Sequence, residues 1–171
     1  MTTPTVTRTL HLPDEAATIT LGSALAIAFI ESLAPVPKST LCLHLHGELG
    51  AGKSTLARAL LRGLGVRGKI KSPTYALVEP YESAYGSLLH MDLYRLTEAA
   101  ELEYLGLDLL FAHASLMLIE WPEKAGALLP APDLTISLGH HEDANQAGRT
   151  LQIAGLSVNG NLLMPKLAAF F

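Results

Sequence analysis

The chain has 171 residues, 49% of them hydrophobic and 16% charged, with a net charge of −4 and a mean hydropathy of +0.30. That composition describes one compact domain, and it excludes a disordered chain and a broad basic surface for sequence-independent binding of nucleic acid, DNA included. One cysteine, Cys42, rules out an intramolecular disulfide framework, and no basic region precedes an apolar stretch at the N-terminus.

Thr5 to His11 reads as a short edge strand. Pro13-Asp14-Glu15 opens a helix carrying Thr18, Leu21, Leu25, Ala28 and Phe29 at helical spacing. Its longest apolar run, Ala24 to Ile30, stops at Glu31, well short of the roughly 18 residues that span a bilayer. The expectation is therefore a cytoplasmic protein with no membrane segment. Pro35-Val36-Pro37 ends the connection, and residues 40–46 form an apolar strand.

Directly after that strand stands Gly47-Glu48-Leu49-Gly50-Ala51-Gly52-Lys53-Ser54, a complete G-x-x-x-x-G-K-[ST] pattern. A helix-like stretch, Thr55 to Arg62, follows it. Strand, glycine turn and helix make this a phosphate-binding loop: backbone N–H groups close around phosphates and the helix N-terminus adds its positive end. Lys53 then reaches the β- and γ-phosphates, and the Ser54 hydroxyl binds Mg²⁺.

The loop helix stops near residues 63–68. Ser72-Pro73-Thr74-Tyr75 is extended or turned because of its proline. Thr74 sits where nucleotide-sensing loops often lie, so its hydroxyl either meets Mg²⁺ or the γ-phosphate or is an ordinary turn threonine. Residues 87–92 read as a buried strand ending in Asp92, and a helix is expected from Ala99 to Phe111 with Leu102, Leu105 and Leu109 on one face. Leu116-Met117-Leu118-Ile119 is a second buried strand, ending in Glu120-Trp121-Pro122. Residues 133–138 and 150–154 alternate as an antiparallel hairpin does, and Asn159-Gly160 marks a final turn. With no repeat or linker, the expectation is a single α/β domain over residues 1–171.

Hydrolysis needs a metal-binding carboxylate and a group that positions water. Ligands sit beyond the carboxyl ends of parallel strands, which singles out Asp92 and Glu120. Each either serves that chemistry or merely caps the next helix. Glu120, after four apolar residues, resembles a Walker B element with Glu for Asp. His90 shares a strand face with Asp92 and either orients it or a water, or is a hydrogen-bonded core histidine, the commoner case. His44 and His46 lack a carboxylate or cysteine partner in sequence and read as structural, and His140-His141-Glu142-Asp143 reads as a solvated loop. Arg95 either meets phosphate charge or is a surface cation. Trp121 is either core packing or a lid. Neither Asn-Lys-x-Asp nor Asp-x-x-Gly occurs, so adenine is favoured over guanine.

Four motifs then occur in a distinctive order: 47–55, Ser-Pro-Thr-Tyr at 72–75, His-x-Asp-x-Tyr-Arg at 90–95, and Ile-Glu-Trp-Pro at 119–122. Together with Leu-Pro-Asp-Glu-x-x-Thr at 12–18 they resemble the TsaE (YjeE) family over roughly residues 6–155. The resemblance implies a small ATPase of the P-loop fold, a mainly parallel sheet flanked by helices with an antiparallel addition. It implies a role in making N6-threonylcarbamoyladenosine in tRNAs that read ANN codons, beside TsaB and TsaD, after TsaC has made the threonylcarbamoyl-adenylate. Contact with tRNA would be indirect, through the TsaB–TsaD complex.

Residue by residue, the resemblance gives Ser54 and Glu120 to Mg²⁺, and Leu49, Gly50, Ala51, Gly52, Lys53, Ser54 and the adjoining Thr55 to ATP. It makes Asp92 a catalytic carboxylate, with Lys53 beside the phosphates and Thr74 in a switch-like segment. Glu15 lies near the adenine and Trp121 by the nucleotide. The family pattern usually carries Thr where this chain has Ser54, and both supply the hydroxyl. The tail 156–171 matches only loosely and receives no role. Two rivals stand beside this weak, partner-dependent Mg²⁺-ATPase. One is a small-molecule or nucleoside kinase, with Arg95 and Arg149 as its lid candidates. The other is a nucleotide-dependent interaction module with negligible catalysis.

Overall fold

A computed structural model describes residues 5–32, 40–140 and 148–170. The Pro35-Val36-Pro37 connection and His141-Glu142-Asp143 lie outside the described residues. Seven strands form one sheet: β1 (Val6–Leu12), β2 (Leu41–His46), β3 (Val78–Ser83), β4 (Gly86–Asp92), β5 (Ala114–Glu120), β6 (Leu134–His140) and β7 (Arg149–Gly155). Their spatial order is β1-β7-β6-β2-β5-β4-β3. The centre, β6-β2-β5-β4, is parallel, while β3 at one edge and β7 and β1 at the other pair antiparallel. This is the mainly parallel α/β sheet with an antiparallel addition that the motifs predict.

Alternation along the central strands builds a core on each face, because successive side chains point to opposite sides. Leu41, Leu43 and Leu45 of β2 and Leu116 and Leu118 of β5 join a core with helices α1 (Glu15–Ser32) and α2 (Lys53–Gly63). Cys42, Met117 and Ile119 face the opposite core, with Leu102 and Leu107. Helix α1 is long and apolar enough, by length and composition, to pass as a membrane span. Leu21, Gly22, Leu25, Ala26, Ala28 and Phe29 are nonetheless buried, and the helix packs on α2 as a core element. Gly22 sets that approach: a Cβ there would lie 2.6 Å from Ala59 Cβ and 2.8 Å from Leu56 O.

Two local expectations are corrected. The stretch 99–111 is not one helix. A 3₁₀ segment, Ala99–Leu105, ends at Gly106 in the left-handed region (φ 61°), and α3 (Leu107–His113) starts afresh. Leu102 is buried, but Leu109 is 73% exposed, so the expected single apolar face does not exist. Residues 159–160 are not a turn but lie inside helix α4 (Val158–Leu163), whose N-cap Ser157 accepts a hydrogen bond from Gly160 N at 3.1 Å. Strand β3 was not anticipated at all. The tail that matched no motif is part of the core: Leu163, Met164 and Leu167 are buried on the α1 side.

Candidate functional site

The parallel register places the chemistry. Asp92 pairs with Glu120 across β4 and β5, and Glu120 in turn pairs with Leu45 of β2. Both carboxylates therefore stand side by side at the carboxyl edge of the sheet, where the chain leaving β2 turns into the glycine loop. Gly47 has φ 137°, and a Cβ there would fall 2.2 Å from Leu138 O. Only glycine lets the loop leave β2 this close to β6. Gly50 and Gly52 also have positive φ, and α2 begins at Lys53.

A cavity of about 370 Å³ opens over this edge. Glu15, Leu49, Gly50, Gly52, Lys53, Ser54, Thr55, Thr74, Asp92, Glu120 and Trp121 all line it. Of the residues the family resemblance places at the site, only Ala51 does not; its side chain is fully buried. Four further side chains line the wall: Arg58, Ser72, Tyr94 and Arg149. Arg58 lies one helical turn beyond Ser54, a spacing visible in sequence. Tyr94 and Ser72 belong to motifs already noted. Arg149, one of the two lid candidates of the kinase reading, reaches the site through the β6–β7 hairpin and donates to Thr18 Oγ1 at 3.2 Å.

Lys53 is buried, and its Nζ donates to Gly47 O at 2.6 Å and Glu48 O at 2.8 Å. The ammonium also lies 4.0 Å from the Trp121 ring centroid. Burial holds its pKa below the ordinary lysine value, against the raising pull of Glu120, Asp92 and Glu123. A buried cation bonded to neutral carbonyls is a ready partner for an anion. Trp121 takes a left-handed backbone (φ 59°), costly for a bulky residue. It is held by Trp121 N donating to Leu45 O at 3.2 Å and by a tilted ring contact to Tyr94 at 5.0 Å.

Glu120 is 1% exposed and accepts two hydrogen bonds, one on each oxygen: from Ser54 Oγ at 2.8 Å and from His90 Nε2 at 2.8 Å. His90 thus meets Glu120 and not Asp92, the partner considered from the sequence. Asp92 Oδ2 accepts from Ser72 Oγ at 2.6 Å and Thr74 Oγ1 at 2.7 Å, and its Oδ1 from Tyr94 N at 3.1 Å. The segment so tied includes Leu77, also left-handed at φ 63°. Arg95 lies outside the cavity, 4.3 Å from the centroid of the exposed Tyr75 ring. His46 meets the Glu123 carboxylate at 3.3 Å, but no group of three or more His, Cys, Asp or Glu that could hold a metal occurs among the described residues. A hydroxyl and a carboxylate in contact, Ser54 and Glu120, are a donor set suited to Mg²⁺, which keeps waters and takes its other oxygens from phosphates rather than from a protein cage.

A family model described as "Threonylcarbamoyl adenosine biosynthesis protein TsaE" matches residues 12–151. A Haemophilus influenzae protein named tRNA threonylcarbamoyladenosine biosynthesis protein TsaE is 39% identical over 136 residues, 80% of this chain and 84% of that one. A Synechocystis protein of the same name is 40% identical over 117 residues, covering 66% and 69%. The crystal structure of YdiB from Bacillus subtilis superposes with a TM-score of 0.75, covering 98% of this chain and 97% of that one at 23% identity, and so shares the fold.

Proposed function

The chain belongs to the TsaE family of tRNA threonylcarbamoyladenosine biosynthesis proteins, and from that premise we propose that it binds ATP with Mg²⁺ and hydrolyses it weakly to ADP and phosphate. Turnover drives or resets the TsaB–TsaD complex in the cytoplasm and does not itself form the new bond on tRNA, which this chain reaches through the complex. One observation carries the reading: Lys53, Ser54, Glu120 and Asp92 converge on one cavity at the carboxyl edge of the sheet.

In this reading the backbone of residues 49–54 and the Lys53 ammonium cradle the phosphates. Thr55 continues that wall, with Glu15 towards the adenine and Trp121 beside Lys53. Ser54 and Glu120 hold Mg²⁺, which when bound offsets charge on the phosphate oxygens. Asp92 orients or deprotonates the attacking water. Three of its roughly four lone-pair positions are engaged by Ser72, Thr74 and Tyr94, which leaves one for a water. Thr74 couples that carboxylate to the switch-like segment.

The test is Asp92→Ala, assayed for ATP binding and for ATPase rate with and without TsaB–TsaD. Binding stays near normal and turnover is lost; wild-type hydrolysis in this variant would remove Asp92 from the mechanism. A second reading, the nucleotide-dependent interaction module, is favoured by one feature. Thr74, tied to Asp92, is followed directly by Tyr75, 84% exposed and stacked with Arg95. Binding of ATP with no turnover, even beside TsaB–TsaD, selects the module. The kinase reading loses Arg95, which lies outside the cavity, keeps Arg149, which lines it, and predicts labelled phosphate on an acceptor from a nucleoside panel.

A further inference from the structure

We propose that His90 is a positioning residue that fixes the Glu120 carboxylate so that one oxygen stays turned to Ser54. The inference rests on the metal-site reading above and deepens it. His90 is fully buried, on β4, and reaches Glu120 diagonally across the parallel pair, since its direct partner is Leu118 and Glu120 lies two residues on. Its Nε2 meets Oε1 at 2.8 Å, while Ser54 Oγ donates to Oε2 at 2.8 Å. The two contacts use different oxygens, so His90 holds one and leaves the other for whatever Ser54 shares.

The tautomer follows from the surroundings. An ionised carboxylate only accepts, so Nε2 must carry a proton. Nδ1 is buried with no partner among the described residues. The contact therefore reads as Nε2–H donating to Oε1. A glutamate on a strand end has three side-chain torsions to restrain, and a hydrogen bond from a rigid, packed ring does so.

The test compares His90→Leu and His90→Gln with wild type, titrating ATP by calorimetry in excess Mg²⁺ and again in EDTA. The leucine fills the space but donates nothing; the glutamine amide reaches Oε1. His90→Leu is expected to lose about tenfold of the Mg²⁺-dependent gain in ATP affinity while its affinity in EDTA is unchanged, and His90→Gln to recover most of that gain. A full Mg²⁺ response in His90→Leu overturns the proposal alone. So does an equal loss with and without metal, which marks a packing defect. Wild-type affinity indifferent to Mg²⁺ overturns the metal-site reading and this proposal with it. Nitrogen-15 spectra of the histidine rings in wild-type protein, independent of how the variants fold, should show an Nε2–H tautomer with a slowly exchanging proton. An Nδ1–H tautomer refutes the assignment.

Discussion

Replacing Asp92 should loosen the segment at residues 72–77 without loosening the sheet. Asp92 is 4% exposed and anchors that segment through the Ser72 and Thr74 hydroxyls at 2.6 and 2.7 Å. Hydrogen bonds to a charged group contribute roughly 1.5–3 kcal/mol each. Ser72 and Thr74 are only partly buried, so both hydroxyls regain water once the carboxylate is gone, and the low end applies. About 3 kcal/mol of local stability is then at stake, on the order of a 100-fold rise in local opening. Nothing covalent opposes the release, and the left-handed Leu77 favours it by relieving strain.

Two amides report it: Leu77 N, bonded to Pro73 O at 2.7 Å, and residue 92's own N, bonded to Leu77 O at 3.1 Å. Hydrogen exchange followed by mass spectrometry should show peptides over 72–77 exchanging on the order of 100-fold faster in Asp92→Ala, with β2 and β5 unchanged. Asp92→Asn keeps the shape and one accepting oxygen and should fall between. Unchanged protection over 72–77 in Asp92→Ala would refute the anchoring argument. Loss of protection throughout the sheet would show a collapse of the core instead.

Two further outcomes concern the frame around the site. Burial chiefly, and then neighbouring His46, push His44 from 6.5 down to about 4, against the raising pull of the Pro130 backbone and Glu123. A folded pKa below the unfolded one means stability present above about 6.5 and lost as pH falls towards 4; linkage puts the loss at about 2 kcal/mol between about pH 7.5 and pH 5. Urea unfolding of wild type and His44→Gln at both pH values checks this, and an identical acid loss in both proteins would clear His44. Leu167 in the tail is fully buried. Leu167→Ala should cost roughly 2–5 kcal/mol by the same assay, and a cost under about 1 kcal/mol would mean that the tail caps the core without supporting it.

What the sequence made legible follows the range of each interaction. The glycine loop and the two strand-end carboxylates are local patterns with local causes, and each stands where its neighbours imply. Strand β3 was hidden because Glu79, Pro80 and Glu82 interrupt any apolar alternation. It exists by pairing with β4 at the sheet edge, where a proline is tolerated. Gly106 divides 99–113 because a single residue with φ 61° ends a helix that its flanking leucines favour on both sides. Arg149 and the partner of His90 depend on strand order and register. Arg149 pairs with His140 and Leu12, and neither pairing is written within a window of residues.

The charges of the cavity explain why the loop alone does not define the activity. Lys53, Arg58 and Arg149 face Glu15, Asp92 and Glu120, three cations against three carboxylates. Such a wall has no net attraction for a polyphosphate at long range, so discrimination rests on placement. The cations follow the loop, its helix and the β7 edge, while Asp92 and Glu120 sit together on adjacent strands. A phosphate chain laid along residues 49–54 would bring its far end against those two carboxylates, where like charges repel. A divalent cation between them turns that repulsion into attraction, and Ser54 with Glu120 is where this chain presents oxygens for one. On this argument Glu120→Gln should raise ATP affinity in EDTA, by removing a repelling charge, and lower it in Mg²⁺, by removing a ligand. Calorimetric titrations in the two buffers measure both signs at once. A variant that binds ATP more weakly in EDTA as well would show that Glu120 serves the loop's structure and not its charge balance.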